Sequence, residues 1–194
     1  MKRLSLALLC PLLLAACSAE VAVDTPPTDA SIPITSIGNP VYVEVAIDLP
    51  DETQGLDIIV KDVSASFAVY NPSAVFTLET SAKVSLTGTA EPGQPLFYYS
   101  DRELPPYYAT AGDLLNPARV FKPGERADLN VTSPMLVQAL GKQRLWVIVS
   151  NTITRAGIGT QPLPLEIRLE NIIIHATVTK EFRGLEGALG IGGL

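Results

Sequence analysis

The feature that most constrains the fold is a recurring alternation of apolar and polar residues with period two. From Val41, the side chains of Val43, Val45 and Ile47 fall on one face of an extended chain and Tyr42, Glu44, Ala46 and Asp48 on the other. Successive side chains of a strand point to opposite faces, so this is the pattern of a half-buried strand. It returns at Val63, Ala65, Phe67 and Val69, then at Phe76 and Leu78 with Ala82, Val84 and Leu86. Leu145, Val147 and Val149, then Leu165, Ile167 and Leu169, and a final run from Ile172 to Thr179 complete the set. Turn material separates the runs, notably Pro50 to Gly55 and Asn71-Pro72-Ser73. About seven or eight short strands without intervening helices predict an all-β chain folded as an antiparallel β-sandwich or barrel. One short helix is expected, with Ser133 as N-cap, Pro134 in the first turn and Gly141 as terminator, plugging an open end or crossing between sheets.

The N-terminus follows another pattern. Lys2 and Arg3 precede an apolar run from Leu4 to Leu14, interrupted only by Ser5 and Pro11. Eleven helical residues would cover about 16 Å, half of a ~30 Å hydrocarbon layer, so the run suits a signal peptide over residues 1–16 and not a membrane span. It closes on Leu14-Ala15-Ala16-Cys17. This motif resembles the lipobox of bacterial lipoproteins, which implies cleavage before Cys17 and acylation of Cys17. In that family a Ser following the Cys, here Ser18, implies export to the outer membrane of diderm bacteria. The resemblance therefore implies a lipid-anchored envelope protein facing the periplasm, with the membrane as a partner through its acyl chains. Three chains would hold where one is marginal.

Residues 17–40 contain Pro26, Pro27, Pro33 and Pro40 among small and acidic residues and are expected to be a Pro-rich tether, with an edge strand over 32–37 as the alternative. The β-sandwich domain is placed at residues 41–183, and the Gly-rich residues 184–194 are expected to be a flexible tail.

A second resemblance lies in the central strands. Asp62-Val63-Ser64-Ala65-Ser66-Phe67-Ala68-Val69-Tyr70-Asn71-Pro72-Ser73, with the next strand and Gly88, is similar to the strand, Asn-Pro turn and strand signature of water-stress and late-embryogenesis-abundant type sandwich domains. It covers residues 62–88 and departs from the family at Ser73, where an Asn is usual. It implies an immunoglobulin-like sandwich and transfers no catalytic residue.

Composition narrows the function. The chain carries 14 basic and 20 acidic side chains and one His. Without Lys2 and Arg3 the balance is 12 to 20, a net charge of about −8, which argues against nucleic acid. Cys10 lies in the signal peptide and Cys17 would be a thioether, so a fold without disulfide, metal or cofactor is expected. His175 is read as a surface or rim histidine, because it shares the wetter face of its strand with Ile173, Thr177 and Thr179, and a nucleophile and orienting acid within reach are not something a sequence displays. Asp101 and Glu103, Asp48 with Asp51 and Glu52, and Asp57 are the candidate carboxylates for glycoside hydrolysis, and Asp48, Asp51 and Glu52 lack the full pattern of a calcium loop. The chain is thus expected not to be an enzyme.

The segment 91–124 concentrates Phe97, Tyr98, Tyr99, Tyr107, Tyr108 and Phe121 among six prolines. Tyr98, Tyr99, Tyr107 and Tyr108 are the binding candidates, on the view that prolines keep this segment out of regular sheet. A partner would be an envelope protein, a glycan or a lipid. The competing expectation is a hydrophobic lid closing the open end of the sandwich. The expected function is a non-catalytic, membrane-tethered binding or structural module, the alternative being a carrier of an apolar ligand held between the sheets.

Overall fold

The computed structural model describes residues 18–50 and 58–181. The signal peptide, Cys17, the acids Asp51, Glu52 and Asp57, and the Gly-rich tail lie outside the described residues. Those described form β1 (Ser18–Asp24), β2 (Thr28–Ile34), β3 (Val41–Asp48), β4 (Ile58–Tyr70), β5 (Phe76–Ser85), β6 (Leu96–Tyr98), β7 (Gly112–Phe121), β8 (Arg126–Val131), α1 (Pro134–Ala139), β9 (Arg144–Arg155) and β10 (Leu165–Glu181). The strands make two antiparallel sheets. Sheet A has the order β1-β10-β4-β8, with β2 also paired to β10, and sheet B has the order β6-β3-β9-β5-β7.

The alternating apolar residues build the layer between the sheets. Ile32, Val43, Val69, Leu78, Val84, Leu145, Ile153 and Ile167 are fully sealed from solvent and belong to one continuous cluster spanning both sheets. Helix α1 begins at Ser133, whose hydroxyl accepts from the Met135 amide, and is followed by Gly141 at φ +83°. It buries Leu136 and Ala139 and packs against β4 of one sheet and β5 and β7 of the other, closing one end.

The Asn71 turn is built from its side chain. Asn71 is fully buried, and its Nδ2 donates to the carbonyls of Phe76 at 2.8 Å, Lys122 at 3.0 Å and Phe121 at 3.3 Å. Its Oδ1 accepts from the Ser73 amide at 3.1 Å. One amide group at the turn that crosses from β4 of sheet A to β5 of sheet B thus ties the start of β5 to the end of β7.

Three expectations are corrected. The tether expected over residues 17–40 is, from Ser18 to Ile34, two strands laid end to end along one edge of β10. β1 faces His175 to Glu181, and β2 faces Leu165 to Ile172. At the junction the Thr25 amide donates to the Ile174 carbonyl at 3.0 Å, and the Ile174 amide donates to the Thr25 hydroxyl at 2.9 Å. The Thr25 hydroxyl thereby takes the place of a ladder carbonyl for the Ile174 amide, just before Pro26 and Pro27, which have no N–H to donate. Pro33 is accommodated because an edge strand is bonded along one side only. Ala30, Ile32 and Ile34 supply the inward face.

Second, the proline-rich segment does enter the sheet. β6 pairs with β3, and β7 pairs with β5 through register shifts between Thr80 and Ala82 and between Ala82 and Lys83. Asn116, Pro117 and Ala118 lie in the first shift, where Pro117 displaces no ladder bond. Third, β3 is not half-buried: Val41 to Ile47 are buried on both faces, and only Asp48 is exposed.

Candidate functional site

β3 is sealed on its second face because the segment from Leu86 to Ala111 folds over the outside of sheet B. At its start the Ser85 hydroxyl donates to the Thr87 carbonyl at 2.6 Å and accepts from the Thr87 amide at 3.1 Å, turning the chain back over the sheet. Gly88 then lies flat on Trp146, where a Cβ would come within 2.1 Å of the ring. Only glycine permits that approach. The Trp146 Nε1 donates to the Ala90 carbonyl at 2.9 Å, and Arg144 clasps Asp48 at 2.6 Å and Glu91 at 2.7 Å.

At the centre is Glu44, on the outward face of β3 and fully buried. Its Oε1 accepts from the amides of Thr89 at 2.6 Å and Ala90 at 2.8 Å. Its Oε2 accepts from the phenols of Tyr98 at 3.0 Å and Tyr107 at 2.6 Å. A carboxylate provides about four lone-pair sites, and here four donors fill them. This full complement makes burial of the acid tolerable. The Tyr107 oxygen also bonds the Thr89 hydroxyl at 2.9 Å. Glu44 therefore gathers the first turn of the segment, β6, and the 3-10 turn at Pro106–Thr110 onto one side chain.

A second knot sits beside it. The Tyr42 phenol donates to Asp101, and its ring meets Tyr108 edge-on at 5.6 Å and 76°. Lys83 Nζ lies 5.5 Å from the Tyr108 ring centre and bonds Asp113 at 2.9 Å. Burial, first of all, holds the phenols of Tyr42, Tyr98, Tyr107 and Tyr108 above the ordinary tyrosine range. Hydrogen bonding to Asp101 pushes Tyr42 further up, and bonding to Tyr107 and Glu44 does the same for Tyr98. For Tyr108, nearby Lys83 opposes the rise. At neutral pH these phenols serve as donors and have no tendency to act as bases or nucleophiles.

The four candidate tyrosines thus separate. Tyr98 and Tyr107 point their hydroxyls inward at Glu44, and Tyr108 packs on Tyr42. Tyr99 is 46% exposed, and its amide is held by Glu103 at 2.8 Å. It borders an open cleft of about 440 Å³ with Asn39, Pro40, Ser100, Asp101 and Arg102. The segment covers the outer face of sheet B, not the open end of the sandwich that the competing lid expectation has it close. Asp101, Glu103 and Asp48, the candidate carboxylates within the described residues, bond Tyr42, the Tyr99 amide and Arg144 respectively.

Glu44 is the residue that sequence reasoning missed. Its place in the alternation marks it as solvent-facing, and no local signal announces a cover supplied from fifty residues downstream. The available clue was the pairing of an acid-bearing strand face with an unassigned cluster of phenols.

No family model matches the chain, and no curated protein matches it. Among solved structures, a chain of the T13 IBDV viral particle is similar with a TM-score of 0.26 and 6% identity, over 90% of this chain and 42% of that one. The chain spans less than half the length of that viral chain, and the likeness is too slight to bear on fold or function.

Proposed function

We propose that the protein is a lipid-anchored module of the bacterial cell envelope, attached through Cys17, facing the periplasm from the outer membrane, with a binding or structural role. The observation that carries this reading is the position of β1. Sheet A begins at Ser18, directly after the residue that the lipobox marks for acylation. An anchor there would hold the domain close to the bilayer with no spacer, as suits a fixed element of the envelope. The continuous interior favours a solid module over a carrier, since the inward side chains of both sheets already fill the layer where an apolar ligand would lie. Tyr99 and its cleft are the binding candidate that remains accessible, suited to stacking on a sugar ring or packing on another envelope protein.

The test is intact-mass measurement and membrane fractionation of the wild type and Cys17→Ser. The expected wild-type product is a membrane-bound chain beginning at an acylated Cys17, and the variant is released or left unprocessed. A mature chain that starts at Cys17 without lipid, or that retains Met1, would overturn the assignment.

A further inference from the structure

The outer face of sheet A, opposite to the covered face of sheet B, carries the chain's single histidine between two complementary groups. His175 Nδ1 lies 2.8 Å from Asp24 Oδ1, and His175 Nε2 lies 2.7 Å from Ser66 Oγ. The three residues come from adjacent strands β1, β10 and β4. Asp24 and His175 are register partners, and Ser66 is two positions along from Ser64, the partner of His175 on its other side. With the Nδ1 proton directed to Asp24, Nε2 is left to accept the Ser66 proton. This is the division of roles in which an acid orients an imidazole and the imidazole activates a hydroxyl.

Two further features bear on reactivity. Ser66 pairs in register with Asn130 of β8, which is exposed. Residues paired directly across a sheet lie with Cβ atoms about 5 Å apart, so a carboxamide flanks the hydroxyl on the same face. The site is also open: the His175 side chain is 36% exposed and that of Asp24 63%. It admits a small, unhindered electrophile, and water competes there freely.

We propose that Ser66, His175 and Asp24 form a nucleophilic serine centre that takes acyl groups from small activated esters. Ser66 Oγ attacks the carbonyl carbon while its proton passes to His175 Nε2. The bond to the leaving alcohol then breaks, and Nε2 returns the proton to it, leaving an ester on Ser66. Water attacks that ester with Nε2 as base, the carboxylic acid departs, and Ser66 recovers its proton. Ser66 and His175 are the catalytic residues, Asp24 is a positioning residue, and Asn130 is the neighbouring donor for the carbonyl oxygen. General-base assistance of this kind is worth about 10²–10⁴-fold, and the open setting places the expectation near the lower end. This inference goes beyond the anchored-module reading and does not depend on it.

The experiment treats the full chain with a fluorophosphonate probe, which loses fluoride to a reactive serine, and with p-nitrophenyl acetate. The expected result is a probe adduct on the Ser66 peptide. Labelling and ester turnover should fall about 100-fold in His175→Gln and vanish in Ser66→Ala, while Ser64→Ala retains both. Asp24→Asn should lower the rate and alter its pH profile, a change that mere loosening of β1 would not produce. Melting curves and rates normalised to folded protein keep a folding defect from mimicking the effect. If Ser66 labels no faster than other serines, or His175→Gln labels as well as wild type, the three residues are a structural clip for β1 and the proposal is overturned.

Discussion

Replacing Glu44 tests whether one buried carboxylate holds the cover of sheet B in place. Glu44→Ala leaves the amides of Thr89 and Ala90 and the phenols of Tyr98 and Tyr107 facing a void. Each buried donor left unpaired costs about 1–3 kcal/mol. Allowing water to recover some of them, a loss of roughly 3–5 kcal/mol is expected. Glu44→Gln keeps the shape: its carbonyl oxygen can still accept from the two amides, and its NH₂ can donate to phenol oxygens that also accept. What disappears is the charge assistance, about 1 kcal/mol. For a domain of this size, 1 kcal/mol moves the melting temperature by about 2–4 °C. The Gln variant should therefore melt about 3 °C early and the Ala variant about 10 °C or more early. Thermal melts at pH 7, with limited proteolysis to show whether cleavage begins in residues 86–111, would measure the contrast. If Glu44→Ala is as mild as Glu44→Gln, or proteolysis begins elsewhere, the carboxylate does not pin the segment.

The tyrosines should divide by their partners: Tyr107→Phe should cost about 1.5–3 kcal/mol for its bond to the carboxylate, and Tyr99→Ala less than about 0.5 kcal/mol, by chemical denaturation. Equal losses would show that Tyr99 is packed as firmly as the others. Asn71→Ala should cost about 3 kcal/mol, because several carbonyls and the Ser73 amide lose their partner together, and urea unfolding measures it. The raised phenols also set an alkaline limit. The unfolded chain loses its tyrosine protons near pH 10 while the folded chain keeps them, so stability is fully present below that pH and falls as pH climbs above it. Denaturation at pH 8 and pH 11 should show that fall, with Tyr98→Phe and Tyr107→Phe together reducing it.

Strands with one sheltered face and clean alternation were legible in the sequence: β4, β5 and β9 lie close to where period two placed them, and Ser133, Pro134 and Gly141 bracket α1 as expected. Val21 and Val23, then Ala30, Ile32 and Ile34, alternate as well, but prolines interrupt the pattern and composition suggested a linker. Their assignment depends on a partner, the far C-terminal β10, whose long edge accepts both pieces. β7 was hidden for the same reason, since Pro117 is harmless only where the register slips. Glu44, His175, Ser66 and Asp24 were individually visible and collectively invisible. Strand order brings His175, Ser66 and Asp24 together, the folding-back of a distant loop brings the donors to Glu44, and neither is encoded in local spacing.

The interrupted edge of β10 also has a mechanical meaning. A pull leaving the domain through Ser18 along the axis of β1 acts parallel to that strand, whereas the ladder bonds to β10 run across it. The bonds are strained together in shear and do not open one after another. At Pro26 and Pro27 the ladder stops, so a rupture that strips β1 halts there, and β2 keeps Ile32 and Ile34 in the core. The stretch from Ser18 to Pro27 would then extend to about 33 Å. With the chain anchored through Cys17 as proposed, a displacement of a few nanometres at the anchor would spend this short reserve of chain before it disturbed the sandwich.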